Sequence, residues 1–238
     1  LGMPAVAVTD HGNMYGLIHL YKAAKKEGIK PILGCEIYMT RGSRFEQKSK
    51  ERLCHLILLA KDFRGYQNLV KIVSKAFVDG ENSYHRPRAD FDLLEQYHEG
   101  LIALSACIEG QVQQDILNGN EMQARQTLER FISLFGKEDF YLEIQNHGLA
   151  EEREVRRVFK DWAEEYGLKL VATNDFHYLD KDDAPAQEVK LCISTGSTLD
   201  DPNHFRFSNN ELRHHFFHPI STRLFRRYAL CRNVWRVE

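Results

Sequence analysis

The sequence predicts an α/β fold in which strands and helices alternate along the chain. Short runs of apolar and β-branched residues recur, and most of them are separated by long segments with apolar residues at helical spacing. Strands separated by such helices are typical of parallel βα units, in an open sheet or in a barrel. With 238 residues and 43% hydrophobic residues, the chain is long enough to bury a sizeable core.

The individual elements follow from these patterns. We predict strands at 4–10, 30–39, 55–60, 100–106, 140–144 and 169–175. We predict helices at 13–28, 66–77, 121–135 and 150–167, the first of them ended by Gly28. No helical pattern separates the second strand from the third, so these two strands are expected to form a hairpin with a long, charged loop.

Composition narrows the class of protein. The net charge of −2 indicates no overall attraction to DNA or to acidic membranes, although a local basic face can coexist with it. The sequence has no run of 18 apolar residues and no signal-peptide pattern, so we expect no membrane partner. Its five cysteines are odd in number and form no CxxC motif, which favours a reduced, cytoplasmic protein.

Side chains of the types that bind metals stand at the ends of the predicted strands. In parallel α/β folds the chemistry gathers at the carboxyl ends of the strands, and the start of a reversed hairpin strand lies at that same end. The residues found there are His11, Glu36, His55, Cys107, Asp175 and His177, with Asp10 beside the first. Imidazole, carboxylate and thiolate are ligands for zinc, and carboxylates also suit manganese and magnesium.

Each of these residues also has an ordinary structural interpretation. Asp10 precedes a helix and fits a helix N-cap, while Cys107 fits a small buried apolar side chain. Glu36 could face solvent, and His55 could be a hydrogen-bonded core histidine. His147 precedes a glycine, which indicates a turn, so we leave it outside the predicted site. The convergence of so many metal-type side chains on strand ends favours the metal-site hypothesis.

Six segments resemble one known family. They are TDHGNMYG, KPILGCEIYM, HLILLAKDFRGYQNLVKIVSKAF, GLIALSAC, FYLEIQNHG and LVATNDFHYL. They resemble the polymerase-and-histidinol-phosphatase (PHP) domain, and more narrowly the version at the N-terminus of the alpha subunit of bacterial DNA polymerase III. The resemblance runs from Leu1 to about Glu211. It includes CISTGSTLDDPNHFRFSNNE, which is typical of the replicative polymerase and not of stand-alone PHP phosphatases.

The resemblance implies a distorted (β/α)7 barrel with up to three metals, zinc or manganese, at the carboxyl ends of its strands. The implied ligands are His11, Glu36, His55, Cys107, Asp175 and His177, with Asp10 orienting its neighbours without binding metal. The implied activity is a metal-dependent phosphoesterase or 3′–5′ exonuclease. The alternatives are a platform that docks a separate proofreading exonuclease and a stand-alone small-molecule phosphoesterase.

The same resemblance implies a longer enzyme, a DNA-directed DNA polymerase whose magnesium-dependent polymerase domain is outside this chain. Its expected partners are DNA, a proofreading exonuclease subunit and a sliding clamp. Leu1-Gly2 fits a helix end. The family's first motif, two histidines followed by an acidic ligand, would precede that point, so we expect the barrel to lack its first strand and three ligands of the usual set.

We divide the chain at residues 190 and 211. Residues 1–190 are predicted to form the barrel and residues 191–211 a connection towards the polymerase palm. Residues 212–238 are rich in arginine and histidine, with no helical or strand periodicity. A one-base frameshift would restore a sequence like the family's usual continuation, and a divergent basic tail is the alternative. In either case we expect this tail not to pack on the barrel.

Overall fold

The computed structural model describes residues 4–46, 52–79 and 86–206. The expectations for the tail at 212–238 fall outside these ranges and stay predictions. Within the described ranges, strands and helices alternate as expected, which confirms the α/β class.

One sheet of six strands forms the centre of the molecule, with the strands in chain order. They are β1 (Ala5–Val8), β2 (Lys30–Met39), β3 (Cys54–Ala60), β4 (Leu101–Leu104), β5 (Phe140–Ile144) and β6 (Lys169–Ala172). β1 pairs in parallel with β2, and β4, β5 and β6 also pair in parallel. β3 runs antiparallel to both of its neighbours, β2 and β4.

The β2–β3 hairpin confirms the prediction of a hairpin there. The expectation that helix-separated strands are parallel is wrong for one pair, β3 and β4, although a helix lies between them. The physical reason is the hairpin itself, because it reverses β3. β4 then returns to the direction of β1 and β2, so it must lie antiparallel to β3.

Seven helices surround the sheet in the described part of the chain. They are α1 (Leu17–Lys26), α2 (Phe63–Asp79), α3 (Phe91–Tyr97), α4 (Gln111–Leu117), α5 (Glu121–Asp139), α6 (Ala150–Tyr166) and α7 (Ala184–Thr195). The sequence patterns missed α3, α4 and α7. The predicted domain boundary at residue 190 falls inside α7, and the division into domains stays a prediction.

Two predicted boundaries are wrong for identifiable reasons. The first helix begins at Leu17 and not at residue 13, because Asn13 forms a local turn instead: its amide donates to the His11 carbonyl oxygen, and its side-chain oxygen accepts the Tyr15 N–H. The fourth strand ends at Leu104 and not at residue 106, because Ala106 adopts a left-handed conformation with φ of 69° that a strand cannot continue through.

Alternating side chains of the strands pack into two separate cores. The outward-facing residues of β2 to β5 join the helices in the larger core, which includes Phe131, Phe140 and Phe159. The inward-facing residues form a smaller cluster of Ile57, Leu59, Ile102, Leu104, Ala106, Tyr141 and Val171. The alternation follows from the two-residue period of a strand, and it leaves one sheet face for a cavity.

The sheet curls so that β1 at one edge and the loop after β6 at the other line the same cavity. Ala7 and Val8 of β1 and the residues following β6 both contribute to a cavity of about 490 Å³. On the outer side, the approach of α2 to the start of β4 is very close. A Cβ atom at Gly65 would lie 1.7 Å from the Gly100 carbonyl oxygen, so the backbones can only meet at a glycine.

The helices of the described ranges are each too short or too polar to cross a membrane.

Candidate metal centre

Strand alternation brings Glu36 and His55 to the inner face of the sheet. Their neighbours Cys35 and Ile37 on β2, and Cys54 and Leu56 on β3, pack outwards into the larger core. Because successive strand residues point to opposite faces, Glu36 and His55 must point to the inner face of the sheet. The Glu36 side chain is 5% exposed and that of His55 is 13% exposed.

His11, Glu36 and His55 form the tightest cluster of the site. The Nδ1 atom of His55 lies 2.7 Å from Glu36 Oε1, and the Nδ1 atom of His11 lies 3.6 Å from Glu36 Oε2. One ligand atom from each of the three residues lies within 4.8 Å of the other two. The backbone supports this arrangement, since Gly12 N–H donates to the Glu36 carbonyl oxygen at 2.8 Å.

Cys107 joins this cluster from the loop after β4. Its Sγ atom lies 3.6 Å from His55 Nδ1. The left-handed Ala106 turns the chain there. The side-chain amide of Gln113 on α4 holds the turn by donating to the Ser105 and Ala106 carbonyl oxygens at 2.9 and 2.8 Å.

Asp175 and His177 reach the same cavity from the loop after β6. His177 Nε2 lies 3.5 Å from Asp175 Oδ1, and the rings of His177 and His11 stack with centroids 5.8 Å apart. Asp175 has a φ of 42°, a left-handed conformation that is rare outside glycine. Such local strain persists only where surrounding contacts enforce it, and it often marks a functional site.

Asp10 lines the cavity as well, but its carboxylate accepts a hydrogen bond from the backbone. Its Oδ2 atom accepts the N–H of Gly16 at 2.9 Å, just before α1 begins. The structure thus brings all six predicted ligand residues to one region, with five of them lining the cavity and His55 in contact with Glu36 and Cys107. Their role as metal ligands stays a prediction.

The pKa values of the site respond to burial and to neighbouring charges. Burial raises the pKa of Cys107 well above its usual value and lowers the pKa of His11. Burial also acts to raise the pKa of Asp175, but the hydrogen bond and charge of His177 outweigh it, so that pKa is lowered. Without a cation, Cys107 is therefore a thiol, and a cation that uses it must displace its proton.

A divalent cation fits this group of side chains. Zinc binds imidazole nitrogen and carboxylate oxygen at about 2.0–2.2 Å, which separates neighbouring ligand atoms by about 3–4 Å. The spacing within the cluster of His11, Glu36 and His55 is compatible with that requirement. Glu143, which lines the cavity as well, has a buried carboxylate oxygen, Oε2, without a hydrogen-bond partner in the described chain, and a nearby positive charge would offset the cost of burying it.

The sequence analysis missed one buried residue near the site, Glu143, and misjudged another, His147. Glu143 lies within β5 and lines the cavity, whereas the predicted ligands, apart from Glu36, were sought at strand ends. Its signal was a carboxylate inside an otherwise apolar strand. His147 is 4% exposed and is more than a turn residue, because its ring joins Glu152 Oε1 at 2.6 Å and the Asn174 carbonyl oxygen at 2.5 Å.

Comparison with known protein families identifies the family of this chain. The family model described as the PHP domain matches residues 1–147, more than half of the chain. The chain belongs to the PHP domain family, as its sequence motifs indicate.

Curated relatives agree with the narrower resemblance. The chain is 47% identical over 212 residues to a DNA polymerase III subunit alpha of Thermus aquaticus. The aligned region covers 87% of this chain and 17% of that protein. It is 42% identical over 214 residues to the one of Treponema pallidum, covering 89% of this chain and 18% of that protein. The chain therefore spans less than a fifth of the length of these relatives.

Among solved structures, a protein of Bifidobacterium adolescentis described as a candidate metal-dependent phosphoesterase aligns with a TM-score of 0.44. The two chains are 13% identical, and the alignment covers 74% of this chain and 78% of that one.

Proposed function

We propose that this chain is the PHP part of a bacterial replicative DNA polymerase, the alpha subunit of DNA polymerase III. The observation that carries the proposal is 47% identity over 212 residues to such a subunit. The whole protein would then be a cytoplasmic DNA-directed DNA polymerase that uses magnesium in another domain. Its partners would be DNA, a proofreading exonuclease subunit and a sliding clamp.

The DNA on both sides of the reading frame tests this first proposal. We expect codons for a histidine pair upstream of Leu1 and for a polymerase domain downstream. A flanking sequence that encodes an unrelated protein would contradict it and would favour a stand-alone phosphoesterase. The same sequence would show whether residues 212–238 arise from a frameshift.

For the chain itself, we propose a divalent-cation centre that hydrolyses phosphoesters, with the 3′ end of a DNA strand as substrate. The supporting observation is the cluster of His11, Glu36 and His55 in a cavity shared with Asp175 and His177. Zinc or manganese in such a centre lowers the pKa of water to about 7 and clamps a phosphate. Lys190 of α7 also lines the cavity, where its ammonium group could contact a phosphate.

Metal analysis and a hydrolysis assay test the second proposal. With the expected upstream histidine pair restored, the protein should retain zinc or manganese after removal of excess metal, and His177→Ala in that protein should weaken cation binding about 10-fold or more, as loss of a ligand should cost at least as much as loss of its supporting contacts. The chain without that pair should be a poor hydrolase, because at least one metal would lack its ligands. Hydrolysis is measured with a 3′-labelled primer, and His19→Ala on the exposed side of α1 is the matched control. Unchanged metal content in His177→Ala would contradict the site, and bound metal without hydrolysis would favour a docking platform.

A further inference from the structure

Glu143 occupies a position where a carboxylate is unexpected. β5 reads FYLEI, and Phe140 and Leu142 pack outwards into the larger core. Glu143 shares the inner face of the sheet with Tyr141 and is only 5% exposed. Its backbone is fixed, because its N–H donates to Ser105 Oγ at 2.8 Å. The strand therefore holds this carboxylate rigidly towards the cavity.

The two oxygens of Glu143 differ in their contacts. Oε1 accepts hydrogen bonds from the Thr173 hydroxyl and from Gln145 Nε2. Oε2 is inaccessible to solvent and has no hydrogen-bond partner within the described ranges. Burying a charged oxygen without a partner is costly, and a positive charge nearby would offset that cost.

The charges around the cavity indicate the sign of that ligand. Four acidic residues line it, and Lys190 is the only lysine or arginine among the described lining residues; the acidic residues are Asp10, Glu36, Glu143 and Asp175. A cation would offset this excess of negative charge. Burial, followed by the neighbouring charges of Asp175 and Glu36, raises the pKa of Glu143 to about 7, as expected for a carboxylate that lacks such a cation.

We propose that Glu143 is a further member of the cation centre, although it is not among the six ligands predicted above. The negative charge of its carboxylate, held at the cavity wall, increases the affinity for the cation without a direct bond to it. This inference rests on the proposed cation centre. Because Glu143 lies on the strand and not on a loop, that charge stays at a fixed distance from the centre.

A purely structural explanation competes with this one. A small void of about 10 Å³ borders Glu143 on the side of α4 and α6, and it is close to the minimum volume for one water molecule. A water buried there would satisfy Oε2 whether or not a cation is present. In that case Glu143 would stabilise the fold and have no effect on cation affinity.

Conservative variants separate the two explanations. We would measure the affinities of the chain for Zn²⁺ and Mn²⁺ by chelator competition, and thermal unfolding of the metal-free protein at pH 8. Glu143→Gln should weaken cation binding about 10-fold or more, while the metal-free protein unfolds at the same or a higher temperature. Glu143→Asp, which keeps the charge, should fall between wild type and Glu143→Gln. Glu154→Gln, an exposed change of the same charge on α6, is the matched control.

Three outcomes would overturn the inference. Equal affinities of wild type and Glu143→Gln would remove Glu143 from the centre and leave the other ligands standing. A lower unfolding temperature of metal-free Glu143→Gln, together with an unchanged affinity, would establish the structural water. A wild-type chain that binds neither cation would overturn the proposed centre itself and this inference with it.

Discussion

Residue by residue, the site combines groups whose proton affinities differ between the folded and unfolded chain. Glu143 is the clearest case, since burial raises its pKa from 4.5 to about 7. The unfolded chain loses this proton at a lower pH than the folded one. The contribution of the protonated Glu143 carboxyl to the free energy of unfolding is therefore fully present below pH 4.5, declines as the pH rises, and is gone above about pH 7.

This difference predicts a pH dependence of stability that one substitution removes. The shift corresponds to about 3 kcal/mol, so the free energy of unfolding of the metal-free protein should fall by about that amount through this pH range because of Glu143. Glu143→Gln should flatten this part of the profile, whereas Glu154→Gln should leave it unchanged. Urea denaturation at a series of pH values in the presence of a chelator measures both. Parallel profiles for wild type and Glu143→Gln would contradict the raised pKa.

His147 provides a second prediction at this scale. Both partners of its ring, the Glu152 carboxylate and the Asn174 carbonyl, are hydrogen-bond acceptors, so both ring nitrogens carry a proton. Burial acts to lower the pKa of His147, but these hydrogen bonds outweigh it, and the pKa lies above 6.5. The protonated His147 ring therefore stabilises the folded protein fully below pH 6.5, and this stabilisation is lost as the pH rises through the higher pKa that His147 has in the folded protein.

His147→Gln should accordingly destabilise the protein by about 2–3 kcal/mol near pH 6, because it removes the close charged partner of the buried Glu152 carboxylate and leaves only Arg156, at 3.8 Å. The penalty should shrink at alkaline pH. His19→Gln on the exposed face of α1 is the control and should cost almost nothing. Urea denaturation at pH 6 and pH 9 tests the difference, and a penalty that grows with pH would contradict the charged state of His147.

Sequence reasoning reached the residues at strand ends and Glu36 inside β2, and it overlooked Glu143 inside β5. His11, Cys107, Asp175 and His177 follow strands, where a search for carboxyl ends finds them. Glu143 could have been found by applying the two-residue period to FYLEI, since Phe140 and Leu142 mark the outer face. The importance of His147 could not have been found in this way, because it depends on Asn174, which is 27 residues away.

At the scale of elements, the contact between α2 and β4 depends on one glycine. A side chain at Gly65 would collide with the backbone of Gly100, which cannot move as a flexible side chain could. Gly65→Ala should therefore destabilise the protein by about 2–3 kcal/mol, despite the better helix propensity of alanine. A loss of that size lowers the melting temperature of a domain of this length by roughly 4–12 °C.

Gly119→Ala is a useful comparison for this prediction. Gly119 has a φ of 73°, but a Cβ atom added there would have no neighbouring atom within 4 Å, so its substitution reports backbone strain without a collision. That strain should cost about 1–2 kcal/mol. Differential scanning calorimetry of the two variants compares the effects, and a smaller loss for Gly65→Ala than for Gly119→Ala would show that the α2–β4 contact can relax.

Strongly periodic helices were predictable, and helices without a clear period were not. The patterns located α1, α2, α5, α6 and all six strands to within a few residues, and they missed α7, which is longer than α1. α3 and α4 have seven residues each, which is too short for a clear helical period. α4 is also rich in glutamine, and its glutamines are buried by tertiary contacts such as those of Gln113 with the loop after β4. Tertiary contacts of this kind leave no local pattern.

For the whole molecule, we expect cation binding to stabilise the fold. The cluster joins β2, β3 and the loops after β1 and β6, which are distant in sequence. A cation at 100 times its dissociation constant should add about 2.7 kcal/mol of stability, or roughly 5–11 °C in melting temperature. Thermal unfolding with and without zinc measures the shift, and Glu36→Gln should reduce it. Equal melting temperatures with and without zinc would indicate that the chain does not bind zinc.

The alternation of β2 and β3 between two faces also bears on folding fidelity. If the hairpin paired one residue out of register, β3 would turn over relative to β2, so that His55 would face the aliphatic outer core and Leu56 the inner face. A misfolded hairpin would thus separate His55 from Glu36 and bury a polar imidazole in the same event. Cation occupancy would therefore report correct strand register, and newly synthesised molecules could be sorted by it.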